Sequence, residues 1–349
     1  MIVKNDSVTF EPCDMPFTRK FGCDEAAKMV LDFKAFHPKL PFLYDTHQLA
    51  DFLKTGRKTL FDLTNHPEAC YSTVSVPKKS GGTRTLNVPN DRLKAIQRKI
   101  LCGILAYLPV SKHAAAYHKG ARLTDNAAAH IHHRYLLKLD LSDFFGSIRF
   151  DSVFCAAFNA NYFPRQIGVM LTSLCCFDDV LPQGAPTSPA LSNLVMKRFD
   201  NSFGAWCSAR GFSYTRYCDD IAVSGNCPVY PAYKKARLLL ENSGFEINDA
   251  KTRFVTDAGR QTVTGLTVNE KLSVPSDYKR TLRQELYYAK KFGLENVIQK
   301  QNLTDYISGG KADAARYAMH LLGKLHFVLS VEPDNAYFRN ARQFLITQL

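Results

Sequence analysis

The sequence predicts an α+β fold in which a small antiparallel sheet is combined with many helices. Two segments carry the strand signal: an apolar run over 135–139 that ends at Asp140, and a segment over 213–224 whose strand-forming residues flank Asp219 and Asp220. From Pro275 onward the spacing of apolar residues predicts helices instead. Separate strand and helix regions of this kind are typical of α+β proteins.

Before these strands, the chain predicts a helical N-terminal part and then a hairpin. Residues 1–68 contain no recognisable motif, but apolar spacing predicts a helix over 45–54. Strands over 71–77 and 83–88 flank a turn at 78–82, where two glycines supply open backbone angles. Lys78, Lys79 and Arg84 make this hairpin basic, and a solvated basic turn is the default interpretation of such a hairpin in isolation.

Further along, apolar periodicity predicts a series of helices. Asn126 and His130 are four residues apart in a helix-like run and would share one face, where a core hydrogen bond between them is the ordinary structural interpretation. Gly309 and Gly310 are a predicted hinge between C-terminal helices. The predicted helices cover 91–108, 188–199, 232–242, 278–292, 295–301, 313–329 and 335–349.

Three aspartates are the candidate catalytic residues. Asp140 ends an apolar strand, and Asp219 and Asp220 form a turn in which neighbouring carboxylates repel each other. Ordinary turn chemistry also explains an Asp-Asp pair. If the two segments lie side by side, however, the three carboxylates fit a two-metal centre for phosphoryl transfer, with ions about 3.5–4 Å apart. Asp143 is a weaker candidate ligand because it could cap the next segment.

Three motifs, in this order, resemble those of reverse transcriptases: 139–145 (Leu-Asp-Leu-Ser-Asp-Phe-Phe), 182–189 (Pro-Gln-Gly-Ala-Pro-Thr-Ser-Pro) and 217–220 (Tyr-Cys-Asp-Asp). The resemblance implies a right-hand polymerase with fingers, palm and helical thumb. It also implies that Asp140, Leu141, Asp219 and Asp220 hold two Mg²⁺ ions, for which Mn²⁺ is a possible substitute. The implied parts are an N-terminal extension (1–68), fingers (69–136), a palm (137–272) with a fingers insertion around 150–180, and a thumb (273–349).

The resemblance further assigns residues to the incoming deoxynucleotide. Phe145 is the implied steric gate against a ribose 2′-hydroxyl, with Phe144 as its rival, and Lys251 is an implied phosphate contact or proton donor. The implied nucleotide-binding set is Lys78, Lys79, Arg84, Phe145, Gln183, Gly184 and Lys251.

Two shorter patterns resemble retron reverse transcriptases in particular. They are Asn-Ala-x-x-His, at Asn126 to His130, and the triplet Val263-Thr264-Gly265. The retron resemblance implies a cognate structured non-coding RNA, copied in part into single-stranded DNA from a guanosine 2′-hydroxyl. It also implies an antiphage system with a separate effector protein. A group II intron-like or other bacterial reverse transcriptase, or a scaffold that restrains an effector, are the alternatives. The expected RNA or primer contacts are Asn126, His130, Val263, Thr264, Gly265, Lys279 and Arg283.

The composition agrees with a nucleic-acid partner. The 349 residues include 45 Lys and Arg against 32 Asp and Glu, a net charge of +13 that suits a polyanion. No apolar run reaches the roughly 20 residues that cross a bilayer. We therefore expect a cytoplasmic protein without a membrane partner.

Overall fold

The structure is a computed structural model that describes residues 23–77, 81–308 and 311–349. Its first three helices are α1 (Cys23–Phe36), α2 (Thr46–Leu53) and α3 (Arg57–Asn65). Asp45 begins α2, because its carboxylate accepts hydrogen bonds from the backbone N–H groups of His47 and Gln48 at 3.0 and 2.9 Å. The helix predicted over 45–54 is therefore confirmed.

The predicted hairpin is also present. Strands β1 (Tyr71–Pro77) and β2 (Thr83–Pro89) pair antiparallel. Gly81 and Gly82 have φ angles of 87° and 81°, which only glycine adopts readily. Lys78 and Lys79 lie outside the described residues.

The helix that follows is shorter than predicted. Helix α4 (Asp91–Gly103) ends before a separate 3₁₀ turn at Leu105–Tyr107, whereas the sequence predicted one helix to residue 108. A Cβ atom on Gly103 would lie 2.6 Å from the Phe52 ring. The end of α4 therefore approaches α2 more closely than a larger residue would allow.

Helices and strands are interspersed through the middle of the chain. Helix α8 continues beyond the predicted end at residue 199 because Phe203 and Cys207 extend its buried face. The elements are α5 (Leu123–Ala128), β3 (Tyr135–Asp140), α6 (Phe150–Ala157), α7 (Arg165–Ser173), α8 (Ser188–Ser208), β4 (Ser213–Tyr217), β5 (Asp220–Gly225), α9 (Tyr230–Glu241) and β6 (Arg253–Thr256).

The central sheet has the order β4-β5-β3-β6, and all its neighbouring strands are antiparallel. Its two faces are buried in different ways. Leu137 and Val223 belong to the larger core, which contains residues of α2, α4 and α6 to α9. Leu136 and Ala222 belong to a second core shared with the C-terminal helices. The α+β prediction is confirmed, and the sheet lies between two cores.

The C-terminal part is mainly helical, as predicted. The sequence over 261–269 predicts the short strand pair that is found there, whereas the short strands at Ile307–Ser308 and Lys311–Ala312 were not predicted. The proposed hinge at Gly309 and Gly310 lies outside the described residues. Among the described residues, no helix is long and apolar enough to cross a membrane. The elements are β7 (Thr262–Val263), β8 (Leu266–Thr267), α10 (Ser276–Phe292), α11 (Leu294–Lys300), β9 (Ile307–Ser308), β10 (Lys311–Ala312), α12 (Ala314–Val331) and α13 (Ala336–Ile346).

Candidate active site

Three aspartates meet where the central strands end. Strand register places Asp140 of β3 directly opposite Asp220 of β5. The Leu141 N–H donates to the Asp219 carbonyl oxygen at 3.2 Å, so the turn that carries Asp219 lies against the end of β3. Cys218, within this turn, has a φ of 61°, a left-handed angle that is uncommon outside glycine. Residues separated by 80 positions thus share one site.

The site carries negative charge that the protein only partly balances. Burial and the nearby carboxylates of Asp219 and Asp140 raise the pKa of Asp220 to about 6. Burial also raises the pKa of Asp219, and Asp140 adds to that effect. Both Asp140 oxygens accept hydrogen bonds from the Lys251 ammonium group, at 2.9 and 3.1 Å. Lys138, on the face of β3 that carries Asp140, opposes the rise at Asp220.

The donor set suits a divalent cation. Carboxylate oxygens are the ligands that Mg²⁺ prefers, and a cation would remove the repulsion among the three groups. As they stand, no three His, Cys, Asp or Glu side chains in the described part of the chain are arranged to hold an ion. The Asp140 carboxylate is instead paired with Lys251. The Leu141 side chain is a hydrocarbon without a donor atom, so its backbone carbonyl is the group suited to be a ligand.

A buried polar network contacts the Asp-Asp turn from the protein interior. Arg216 donates from Nη1 to the Cys218 carbonyl at 2.9 Å. It also pairs with Asp200, from Nε to Oδ1 at 2.9 Å and from Nη2 to Oδ2 at 2.7 Å. Tyr214 donates to Asp200 at 2.6 Å, and Asn193 accepts from Arg216 at 3.2 Å. Burial opposes the charge of Arg216, but Asp200 raises the arginine pKa above its usual value. Arg216 therefore keeps its charge and holds the turn through its bond to the Cys218 carbonyl.

A second segment borders the same turn. Ala115 donates its N–H to the Arg216 carbonyl, and Arg216 donates its own to the His113 carbonyl, so this segment runs beside β4. It ends at Tyr117, which has a φ of 62° and is 42% exposed. Burial, and then the hydrogen bond with Cys218, raise the pKa of the Tyr117 hydroxyl. The Tyr117 side chain therefore lies against the turn that carries the Asp-Asp pair.

Several predicted nucleotide-binding residues lie around these carboxylates. The charge of exposed Arg84 acts on Asp219 and lowers its pKa against the effect of burial. Gly184 has a φ of 130°, and a Cβ atom there would lie 2.9 Å from the Asn87 carbonyl oxygen. The turn that contains Gln183 and Gly184 therefore approaches the hairpin strand that carries Arg84. No larger residue would fit at Gly184 without moving that strand.

The structure distinguishes the two candidate gate residues. Phe144 is 3% exposed and lies in the core, with its ring 5.8 Å from that of Phe245. Phe145 is only partly buried. Of the two rings, Phe145 is therefore the one that remains accessible. Its role as a gate stays a prediction.

The retron-type pattern lies beneath the surface instead of on it. His130 is completely buried, and its ring nitrogens make hydrogen bonds with Ser224 at 2.7 Å and Thr215 at 2.8 Å. Asn126 is 2% exposed and donates to the Thr264 hydroxyl at 3.3 Å. Asn126 and His130 thus do not pair with each other along one helix, because α5 ends at Ala128.

These contacts change the expected roles of the pattern. Val263 is also buried, at 2% exposed, while Gly265 has a φ of 82° in the tight connection between β7 and β8. The expectation that Asn126, His130 and Val263 touch RNA directly does not fit this burial. The contact between Asn126 and Thr264 instead holds the triplet against α5.

Of the two predicted thumb residues, one is paired within the protein and the other is exposed. Lys279 donates to Glu332 at 2.6 Å and is mostly buried, so it joins α10 to the end of α12 and is not free for nucleic acid. This corrects its expected role. Arg283 is exposed, and its guanidinium lies 5.3 Å from the centre of the Phe338 ring. Arg283 therefore remains available to a phosphate backbone.

Sequence reasoning missed three residues of this site. Arg216 lies in the predicted strand segment over 213–224, but its buried partner Asp200 is 16 residues away and no local pattern connects them. Lys138 alternates with apolar residues in β3, which was a usable signal for its position on the face of Asp140. Tyr117 gave no signal, because only its tertiary position brings it to Cys218.

The family model described as reverse transcriptase (RNA-dependent DNA polymerase) matches residues 76–292. The match covers more than half of the chain, and the chain belongs to the reverse transcriptase family. Its α+β architecture is the right-hand polymerase fold that the motifs predicted, and the enzyme class is RNA-directed DNA polymerase. Members of this family use an RNA template and deoxynucleoside triphosphates, and they generally depend on a divalent metal.

Within the family, the similar proteins are retron reverse transcriptases, so the chain is of the retron type. The Retron Ec86 enzyme of Escherichia coli is 29% identical over 88% of this chain and 91% of its own length. The Retron Ec83 enzyme of the same species is 32% identical over 67% of this chain and 80% of its own length. The Retron Mx65 enzyme of Myxococcus xanthus is 33% identical over 76% of this chain, which spans only 62% of that relative.

Solved structures are similar at a lower level. Telomerase from Candida albicans, in complex with a fragment of telomeric RNA, has a TM-score of 0.42 at 13% identity, over 80% of this chain and 63% of that chain. Apo telomerase from Candida tropicalis has the same TM-score at 14% identity, over 59% of this chain and 55% of that chain.

Proposed function

We propose that this chain copies part of a cognate structured RNA into single-stranded DNA, with Asp140, Asp219 and Asp220 as its catalytic carboxylates. The observation that supports this proposal most directly is the strand register that sets Asp140 opposite Asp220, beside the Asp219 turn. Similarity to retron enzymes over up to 88% of the chain supports the same conclusion.

In this proposal the three carboxylates, with the Leu141 carbonyl, hold two Mg²⁺ ions. When bound, the ions lower the pKa of the primer hydroxyl and stabilise the pyrophosphate leaving oxygen. Lys251 currently neutralises Asp140. Released from Asp140, the Lys251 ammonium group would contact the triphosphate or donate a proton to the pyrophosphate.

Other residues orient the nucleotide. Arg84, with Lys78 and Lys79 on the same hairpin, supplies positive charge to the triphosphate. The Gln183-Gly184 turn, held close to that hairpin, positions the sugar and base. The accessible Phe145 ring excludes a 2′-hydroxyl and so selects deoxynucleotides. Around them, Arg216 keeps the Asp-Asp turn in place through its bond to the Cys218 carbonyl.

Charge removal at one aspartate tests the assignment. Asp219→Asn should abolish Mg²⁺-dependent DNA synthesis on a primed RNA template while the protein still binds RNA. Asp143→Asn is the matched control, because Asp143 belongs to the same motif but is exposed and lies three residues beyond the end of β3. Retained synthesis in Asp219→Asn, or equal loss in Asp143→Asn, would disprove this site.

The retron part of the proposal concerns priming and product. We propose priming from a guanosine 2′-hydroxyl, which yields DNA joined to RNA through a branch, within an antiphage system that includes a separate effector. The family resemblance supports this. Nucleic acid that copurifies with the protein should shift on a gel after treatment with debranching enzyme, and again after ribonuclease. Linear DNA alone would favour a group II intron-like enzyme.

A further inference from the structure

A cluster of aromatic rings lies on the flank of the sheet, where no catalytic residue was assigned. Tyr230 and Tyr233 stack at the start of α9, with ring centres 5.9 Å apart and an interplanar angle of 26°. Phe254, on the outer strand β6, lies 5.6 Å from Tyr233 and 6.2 Å from Tyr230. Tyr230 is 53% exposed and Phe254 is 50% exposed. We call the surface formed by these three residues the aromatic platform.

Two cations lie against the aromatic platform. The Lys234 ammonium lies 5.0 Å from the centre of the Tyr230 ring, and the Arg237 guanidinium lies 5.1 Å from that of Tyr233. Each cation is four residues after its ring, which places both pairs along one helix face. Asp249 accepts from Arg237 at 2.6 Å and from the Tyr233 hydroxyl at 3.0 Å, so this side of the platform is ordered in advance.

The charge around the platform favours an anionic partner. Lys234 and Arg237 lie at the rings, and the whole chain carries a net charge of +13, which suits a polyanion. Single exposed aromatic residues are common on protein surfaces. Three adjoining rings interleaved with cations are instead typical of surfaces that bind single-stranded nucleic acid, where bases stack on rings and cations follow the phosphates. The cores of protein interfaces, by contrast, are depleted in lysine.

The platform is separate from the catalytic face of the sheet. Phe254 pairs with Leu137, which faces the larger core, whereas Arg253 pairs with Lys138 on the face that carries Asp140. A strand of nucleic acid on the platform would therefore leave the polymerase site open. The loop between α9 and β6 also carries Lys251, so the two surfaces are neighbours without overlapping.

We propose that the aromatic platform binds an unpaired stretch of the RNA that this enzyme copies. The inference rests on the proposed function in one respect, that a cognate RNA stays bound to the chain. RNA is the occupant we choose because the template is present before synthesis starts, whereas DNA exists only afterwards. Bases stack on Tyr230 and Phe254, and Lys234 contacts a phosphate between them.

Binding of a short RNA tests the platform apart from catalysis. The full-length protein is first saturated with an RNA–DNA primer–template, which fills the polymerase cleft. A fluorescent oligouridine of about 15 nucleotides, a length within the range for one binding surface, is then titrated by anisotropy. The double variant Tyr230→Ala with Phe254→Ala should bind it roughly tenfold or more weakly, given the usual strength of stacking on one ring. Primer extension should be unchanged.

Matched variants separate the contribution of the aromatic rings from that of the positive charge. Tyr107→Ala removes an aromatic residue of similar exposure, 49%, at another surface, and it should bind like the wild type. Lys234→Ala should reduce the dependence of binding on salt concentration, because fewer counterions are released.

Several outcomes would overturn the proposal. They are unchanged oligouridine binding in the double aromatic variant, an equal loss in Tyr107→Ala, or no binding by the wild-type protein. Tighter binding of oligothymidine that is lost in the same variant would identify product DNA as the occupant instead of RNA. Unchanged RNA binding with lost binding of a purified effector would identify a protein docking site. Failure of primer extension in the wild type would refute the proposed function and leave the platform to be judged by binding alone.

Discussion

Asp200→Asn removes the charge that compensates a completely buried arginine. Asp200 and Arg216 side chains are both 0% exposed, and two hydrogen bonds of 2.9 and 2.7 Å join them. The substitution keeps the size of the side chain but leaves the Arg216 charge without its partner. We expect the guanidinium to shift, and its bond to the Cys218 carbonyl to weaken.

The expected loss of stability follows from this burial. Breaking a buried ion pair by removing one partner costs about 3–5 kcal/mol, because the remaining charge is desolvated and unpaired. For a chain of 349 residues, an unfolding entropy of about 2.1 cal/mol/K per residue means that each kcal/mol lowers Tm by about 1.4 °C, so Tm should fall by about 4–7 °C. Asp334→Asn is the control. The Asp334 side chain is 98% exposed and its partner Arg339 is 54% exposed, and such exposed ion pairs contribute little to the free energy of unfolding.

Thermal unfolding followed by circular dichroism measures the loss of stability. The Mg²⁺ dependence of DNA synthesis measures the effect on the turn that carries Asp219. Below its Tm, the Asp200→Asn protein should need more Mg²⁺ for half-maximal activity, because the turn that presents Asp219 is less fixed. A Tm change no larger than that of Asp334→Asn would refute the energetic reasoning. A normal Mg²⁺ dependence with a lowered Tm would refute the link to Asp219.

Three further expectations concern other contacts. Lys251→Ala should slow synthesis by about 10²-fold or more if Lys251 acts as a proton donor, with primer–template binding unchanged; single-turnover kinetics checks this, and an unchanged rate would exclude the role. Phe145→Val should raise ribonucleotide use relative to deoxynucleotide by roughly 10–200-fold, measured as the ratio of kcat/KM values. Burial works against the charge of Glu332, but Lys279 and other donors hold its pKa below the usual 4.5. Its stabilising contribution is thus present above that value and is lost as pH falls below it, so wild-type Tm should decline more steeply in acid than Tm of Glu332→Gln.

Local patterns explain why much of the fold was predictable. The hairpin over 71–89, the strands that end at Asp140 and flank Asp219, and the C-terminal helices all follow from apolar spacing and turn residues. Where predictions were wrong, tertiary contacts had overridden the local pattern. Helix α4 ends early where Gly103 meets Phe52, and α8 runs on because buried residues continue along it.

The candidate site shows the same division. Its carboxylates could be named from sequence because strand ends and an Asp-Asp turn are local features. Their partners could not, since Lys251 reaches Asp140 across 111 positions of the chain. Likewise, nothing local shows that His130 is enclosed by Ser224 and Thr215, or that Lys279 is already paired with Glu332.

By itself, therefore, the sequence determined which segments form strands and helices, and which acidic residues end them. The tertiary structure alone decided which of those residues face one another, which polar groups are removed from water, and which rings stay exposed beside cations. The physical reason is that secondary structure depends on neighbours along the chain, whereas burial and charge pairing depend on neighbours in space.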